Sequence, residues 1–252
     1  MNTKIARSRS GQALIITALI ITLLLMSTAY YVLEVETTPI GSQSSRSALP
    51  MIQLSSRNAV ISALANISNG GLPDVLNADL SKLATALENE TYDGQCDMSY
   101  ELFNSAPYAD GSYVSWGTNG FGVSSSTVSF TMNFSGVSST SESEYETNVT
   151  TALTISGVYT SAGSEKYVNV TCTLINDQGP ALLQNVTLRY QNVTAGPFMP
   201  VDSANNLETV DYGNGTYIMS FIVTAQTFLQ VSAQAFDQRG IFVMANVTCI
   251  EV

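Results

Sequence analysis

Histidine is missing altogether from this chain of 252 residues, and basic residues are scarce, with nine Lys and Arg against 20 Asp and Glu for a formal net charge of −11. The first absence removes Ser-His-Asp and Cys-His nucleophiles and Cys/His metal sites, which need an imidazole as base or ligand. A Ser-Lys pair would have to draw on Lys82 or Lys166, neither in a recognisable nucleophile context, and nothing selects a carboxylate pair for hydrolysis. The chain is therefore expected to be no enzyme and to carry no cofactor. The shortage of bases argues against a nucleic-acid partner, whose phosphates an acidic surface repels. Charge of either sign amounts to only 12% of residues. Ser, Thr and Asn supply most of the polarity, a composition that suits an exported, β-rich surface protein.

Against these absences stands one uninterrupted apolar run. Residues 13 to 33 are 21 uncharged, mostly apolar positions, preceded by Lys4, Arg7 and Arg9 and followed by Glu34. As a helix the run would rise roughly 31 Å, about the hydrocarbon thickness of a bilayer. All three leading bases precede the run and no acid does, so the basic end is expected to stay cytoplasmic and about 220 residues to be exported. Those residues hold all 20 acids and six bases, a formal charge of −14. The expected location is the cell membrane, single-pass, with lipid contacted through residues 13–33. Ser27-Thr28-Ala29 also offers the small residues of a signal-peptidase site, which would release a secreted protein beginning at Tyr30.

Past the apolar run, residues 34–50 contain Pro39, Gly41 and Pro50 and read as a stalk. Helical spacing follows in Val60, Ile61, Leu64 and Ile67, and again in Leu72, Leu76, Leu80, Leu83 and Leu87, with Pro73 as a first-turn residue. From Cys96 the period becomes two. Val128, Phe130, Met132 and Phe134 alternate with Ser, Thr and Asn, and Tyr145, Val149, Leu153 and Ile155 share a face. Strands are expected again over 167–175, 183–191, 216–224, 228–236 and 241–250, a spacing that suggests a β-sandwich. Tyr159 to Glu165 reads as a boundary. The expected organisation is a basic leader (1–12), a transmembrane helix (13–33), a stalk (34–50), an α+β domain with an antiparallel sheet (51–160) and a sandwich (164–252). The fold class is mainly β with α.

Alternation places Cys172 beside Val168, Val170 and Leu174, and Cys249 beside Val243, Ala245 and Val247, so both thiols are expected in one core. Two readings stay open, a Cys172–Cys249 disulfide and two unpaired core cysteines.

Two stretches resemble known families. Asp211-Tyr-Gly-Asn-Gly-Thr-Tyr-Ile-Met-Ser-Phe221 is similar to the turn and strand of filamin-like and other immunoglobulin-like repeats, in which glycines take positive-φ turn positions and alternate residues then face inward. The resemblance implies an immunoglobulin-like module over 164–252, of the kind that serves as spacer or adhesion surface. Arg9-Ser10-Gly11-Gln12-Ala13-Leu14 resembles an archaeal type IV pilin-like signal, and the resemblance implies cleavage between Gly11 and Gln12 with the apolar helix kept for a filament core or anchor. The chain has Ile16 where many pilins carry Glu, and Pro39, Gly41 and Pro50 where they continue one helix.

Nine Asn-x-Ser/Thr sequons occur, at Asn66, Asn89, Asn133, Asn148, Asn169, Asn185, Asn192, Asn214 and Asn246, and each is a candidate N-glycan acceptor in an exported chain. Strands whose outer face is filled by Asn and Thr also generate Asn-x-Thr by period two alone. Glu142, Glu144 and Glu146 share a strand face that reads as a solvated acidic edge. Asp202, Asn205 and Asn206 offer calcium-type oxygens without the spacing of an EF-hand, and no metal site is expected. The expected function is that of a membrane-anchored extracellular structural or adhesive cell-surface protein, a pilin-like subunit with homo-oligomer or filament partners. The alternatives are a ligand-binding or sensory ectodomain working with another membrane protein, the secreted form, and, third, an exported hydrolase.

Overall fold

A computed structural model describes residues 41–89, 94–136, 140–181, 183–193, 196–225 and 229–252. Residues 13–33, with the expected transmembrane helix, and the Gly11-Gln12 junction lie outside the described residues. Among those described, no helix is long and apolar enough to cross a membrane. The chain divides into two units, residues 1–47 and 48–252; of the first, only the helical backbone of 41–47 is described.

Helix α1 (Gly41–Ser68) runs through Pro50, so residues 41–50, expected as a stalk, are helical. A proline there removes one backbone hydrogen bond, and the buried positions that anchor the helix, Ile52, Val60, Ala63 and Leu64, all follow it. Gly70, at φ 88°, ends the helix in a left-handed turn that lets the Gly71 N–H reach the Asn66 carbonyl. Helix α2 (Val75–Asn89) starts after Pro73 and buries Leu76 and Leu80. Leu72, expected on that face, precedes the helix and is 69% exposed.

The remaining chain is antiparallel β-structure with one short parallel pairing. Strands β1 (Gly94–Leu102), β2 (Ser112–Trp116), β3 (Phe121–Gly136), β4 (Thr140–Ala162), β5 (Glu165–Asn176), β6 (Gly179–Pro180), β9 (Glu208–Asp211), β10 (Thr216–Thr224) and β13 (Ile250–Glu251) form a nine-stranded sheet. Its main path is β1-β3-β4-β5-β10-β9, with β2 beside β3, β6 beside β5 and β13 parallel to β4. Strands β7 (Leu183–Gln191), β8 (Met199–Pro200), β11 (Gln230–Asp237) and β12 (Phe242–Thr248) form a second sheet in the order β12-β11-β7-β8. The expected mainly β class with antiparallel sheets and two helices is what the chain adopts.

Strand β4 organises both cores. Its odd residues from Thr147 to Tyr159 are buried and its even ones half-buried or exposed, the alternation of a sheet covered on one face. Val149 joins a core with Val60, Leu64, Leu76, Leu80, Val128, Phe130 and Met132, where the two helices cover the sheet. Leu153, Ile155 and Tyr159, on the same face of the same strand, join Val170, Leu174 and Phe221 and the second sheet's Leu188, Val231 and Val243. The segment 159–165, expected to separate two domains, is accordingly the hairpin between β4 and β5, with Ala162 paired to Glu165. Gly163 takes its positive φ of 66°.

Candidate functional site

The feature that gathers most of the sequence-predicted residues is the open face of the large sheet, opposite both cores. Register sets its rows. At the helix-covered end, Asp97, Asn133 and Glu142 lie side by side, then Ser99, Thr131 and Glu144, then Glu101, Ser129 and Glu146. Five carboxylates thus flank a Ser/Thr/Asn stripe. From Thr140 to Thr150 the described partner of β4 is β3 alone, so the three glutamates do occupy a sheet edge, where charge discourages pairing with another chain.

Mid-sheet, the loop between β1 and β2 folds over this face. Tyr108 Oη lies 2.8 Å from Ser125 Oγ, which lies 2.7 Å from Thr150 Oγ1. Thr150 Oγ1 donates to Asn148 Oδ1 at 2.8 Å, and Asn148 Nδ2 donates to Thr127 Oγ1 at 3.0 Å. Both polar atoms of the Asn148 amide are therefore engaged.

At the far end the rows are Val158, Asn169 and Ser220; Thr160, Tyr167 and Ile222; Ser156, Thr171 and Ile218; and Thr154, Thr173 and Thr216. None of these twelve residues is charged. Ile250 extends the first row beside Val158. Ile250 is 69% exposed, Tyr167 46% and Val158 36%. Ser220 Oγ donates to Asn169 Oδ1 at 2.7 Å.

The other sequons scatter. Asn214 is exposed in the β9–β10 turn, its Oδ1 accepting from the Thr216 N–H. Asn89 and Asn192 donate their Nδ2 atoms to the Thr85 and Thr224 carbonyls. Asn66 is exposed on α1, but its sequon partner Ser68 is buried and accepts from the Phe242 N–H. Asn246 has its Oδ1 buried without a partner. The backbone of Asn185 lies in β7 opposite Phe236.

Cys172 and Cys249 share a core as expected, yet both are free thiols, as is Cys96. The disulfide reading does not hold, because β4 lies between them: Cys172 pairs with Ile155, whereas the Cys249 sulfur sits over Gly157, where an added Cβ would strike it. Burial pushes the Cys172 thiol up to about 12 and that of Cys249 to about 11, the latter against an opposing pull from Lys166. Neither has the thiolate character that reactivity needs. Lys166 is buried, its Nζ 3.8 Å from the centroid of the Tyr159 ring. Lys82 pairs with Asp79 on the surface of α2. Asp202, Asn205 and Asn206 build a capped 3-10 turn in which Asp202 Oδ1 accepts from the Ala204 N–H and Asn205 Oδ1 from the Asp202 N–H, so those two oxygens are used locally.

Sequence reasoning missed a charge network at the seam between the two cores. Asp237, fully buried, accepts from the Arg239 and Ile241 N–H groups, from Thr151 Oγ1 and from Arg239 Nε. Arg239 also donates to Asp177 and to the Thr150 carbonyl, and Arg57 of α1 donates to Asp177. Asp177 and Gln178 form the β5–β6 turn with φ of 47° and 71°, conformations non-glycine residues adopt at a cost. Asn-Asp-Gln-Gly between two apolar runs is a legible turn signal. Its ion partners, 62 and 120 residues distant, are not.

What fold and site define at this point is a class, a mainly β protein with an open, Ser/Thr/Asn-rich sheet face. Comparison with protein-family models finds no match, and comparison with curated proteins finds none either.

Proposed function

We propose that this protein is a membrane-anchored extracellular structural or adhesive component of the cell surface, a pilin-like subunit whose β surfaces make its contacts. The observation that carries the reading is the apolar run 13–33 behind Lys4, Arg7 and Arg9, a segment that fits a retained membrane or filament-core helix. Two features of the fold support it. Helix α1 lies with α2 on the antiparallel β1-β3-β4 layer, the arrangement expected of a pilin-like head. Beyond it, the order β4-β5-β10-β9 against β12-β11-β7 follows the A-B-E-D and G-F-C connectivity of immunoglobulin-like sandwiches, which fits a spacer or adhesion module.

N-terminal sequencing and intact-mass measurement of the protein from its native membrane test this reading. A start at Gln12, with filaments seen by electron microscopy of sheared cells, is the expected result. A start at Tyr30 would sink membrane retention, and a start at Met1 or Asn2 would remove pilin-type processing and leave a plain anchor.

A further inference from the structure

The two ends of the open face solve the same problem by different chemistry, and one solution is incomplete on the protein alone. At the acidic end, Asp97, Glu101, Glu142, Glu144 and Glu146 keep the exposed strands solvated. At the other end, twelve neighbouring positions of β4, β5 and β10 carry no charge, bordered by Glu208 beside Ser220 and by Glu165 in the next row, and Val158, Tyr167 and Ile250 are exposed among threonines and serines. Such a face is a template for association unless something polar covers it. Asn169 stands in the middle of it, paired with Val158 on one side and Ser220 on the other.

We propose that Asn169 carries an N-linked oligosaccharide that covers the uncharged end of this face, a modification that rests on the export of the chain proposed under its function. The sequon Asn169-Val170-Thr171 puts the asparagine and the hydroxyl on the same open face, because i and i+2 of a strand point the same way. Ser220 engages the amide oxygen, the atom that carries no sugar. The sugar's apolar ring faces can lie on Tyr167 and Val158 while its hydroxyls meet water. Asn148, on the same face, is disfavoured because a sugar there would have to be accommodated beside the bond its Nδ2 makes to Thr127 in the folded sheet. In the transfer, Nδ2 of Asn169 attacks the anomeric carbon of a polyprenyl-phosphate-linked oligosaccharide. The N–C bond forms as the C–O bond to phosphate breaks, the lipid phosphate leaves with that electron pair, and the amide gives up one proton to the transferase. This occurs before the strand is paired, so the folded sheet has only to accommodate the product.

The test uses the full chain expressed in its own host, fractionated into cytosol and membrane, with glycopeptides mapped by mass spectrometry. Sugar on Asn169 in the membrane fraction is expected, lost in Asn169→Gln and equally in Thr171→Ala, which keeps the asparagine. Hydroxyl-radical footprinting should then show greater oxidation of Tyr167 in those variants than in the wild type. A membrane-fraction protein with Asn169 unmodified overturns the proposal and leaves export standing. Protein confined to the cytosol without sugar overturns both. Protection of Tyr167 in unglycosylated protein, with cross-linking between copies, overturns it in favour of a subunit contact. Mapping of the wild-type chain distinguishes these outcomes even where a variant fails to accumulate.

Discussion

The two ends of the large sheet share a pleat, a face and a single strand, yet one end is roofed by helices and the other by a second sheet. Along β4 the buried series passes from Val149, under α1 and α2, to Leu153 and Ile155, under β11 and β12, without a break in period. Alternation decides which face is buried and says nothing about what buries it. The roof is decided by residue size on the neighbouring strand. Beneath the helices β3 presents Val128, Phe130 and Met132, whereas at the seam it presents Gly122 and Ser124, small enough for β12 to come close. Ser124 Oγ donates to the Phe242 carbonyl there at 2.7 Å. On the open side the contrast repeats in electrostatic form, with five carboxylates at one end and, at the other, twelve uncharged positions bordered by Glu165 and Glu208.

Cutting the seam between the two ends should have the largest effect. Asp237→Ala removes the acceptor of Arg239 Nε, of the Arg239 and Ile241 N–H groups and of the Thr151 hydroxyl, and should lower stability by about 3–5 kcal/mol in urea unfolding. A loss seen by probes of one end alone would mean that the seam does not couple the two. Next, Leu80→Ala under the helices and Leu174→Ala in the sandwich should each cost about 2–5 kcal/mol, within one shared transition. Separate transitions by Trp116 fluorescence and far-ultraviolet dichroism would split the molecule into two domains after all. Gly122→Ala drives a methyl into the Met244 carbonyl oxygen, an overpacking that should cost about 1–3 kcal/mol. If its urea midpoint stays at the wild-type value, β12 is free to yield.

The thiols set the sandwich end apart through pH. Cys172 and Cys249 titrate higher in the folded chain, near 12 and 11, than at the ordinary value of 9.0. The folded state therefore holds more protons above pH 9. Stability should be complete below that value and fall as pH rises toward the folded values, by up to about 1.4 kcal/mol per pH unit for each thiol. Replacing Cys172 with Val should flatten that alkaline limb in urea titrations at pH 8 and 10.5, and an unchanged slope would count against burial as the cause. The smallest effect belongs to the acidic end, where Glu144→Gln should move stability by less than about 0.5 kcal/mol.

Much of this was legible in the sequence because the strands are half-buried. The expected strands 183–191 and 216–224 match β7 and β10 at both ends, since apolar residues recur at every second position, at Val186, Leu188 and Tyr190 and at Tyr217, Met219, Phe221 and Val223. Helix ends were harder to read. Leu72 fits the helical spacing of α2, but Pro73 comes before the helix and leaves it in water. The division at 159–165 misled because glycine marks a hairpin as readily as a linker. Shared alternation placed both cysteines in one core correctly, but could not reveal that β4 separates them. The open face was half legible. Period two shows that Asn133, Asn148 and Asn169 point outward, whereas only the paired strands show that they share a surface and that Thr127 and Thr150 tie Asn148 down.

Ile241, in the connection between β11 and β12, is completely buried in the core beneath the helices, among residues that precede it by ninety positions or more. That placement sets a timetable. Because a chain is made from its N-terminus, α1, α2 and the first strands arrive early, but the last piece of their core arrives only with Ile241, about ninety residues after Val149. The core beneath the helices must wait, partly open, for Ile241, so its completion is a late event in folding however early its other residues arrive.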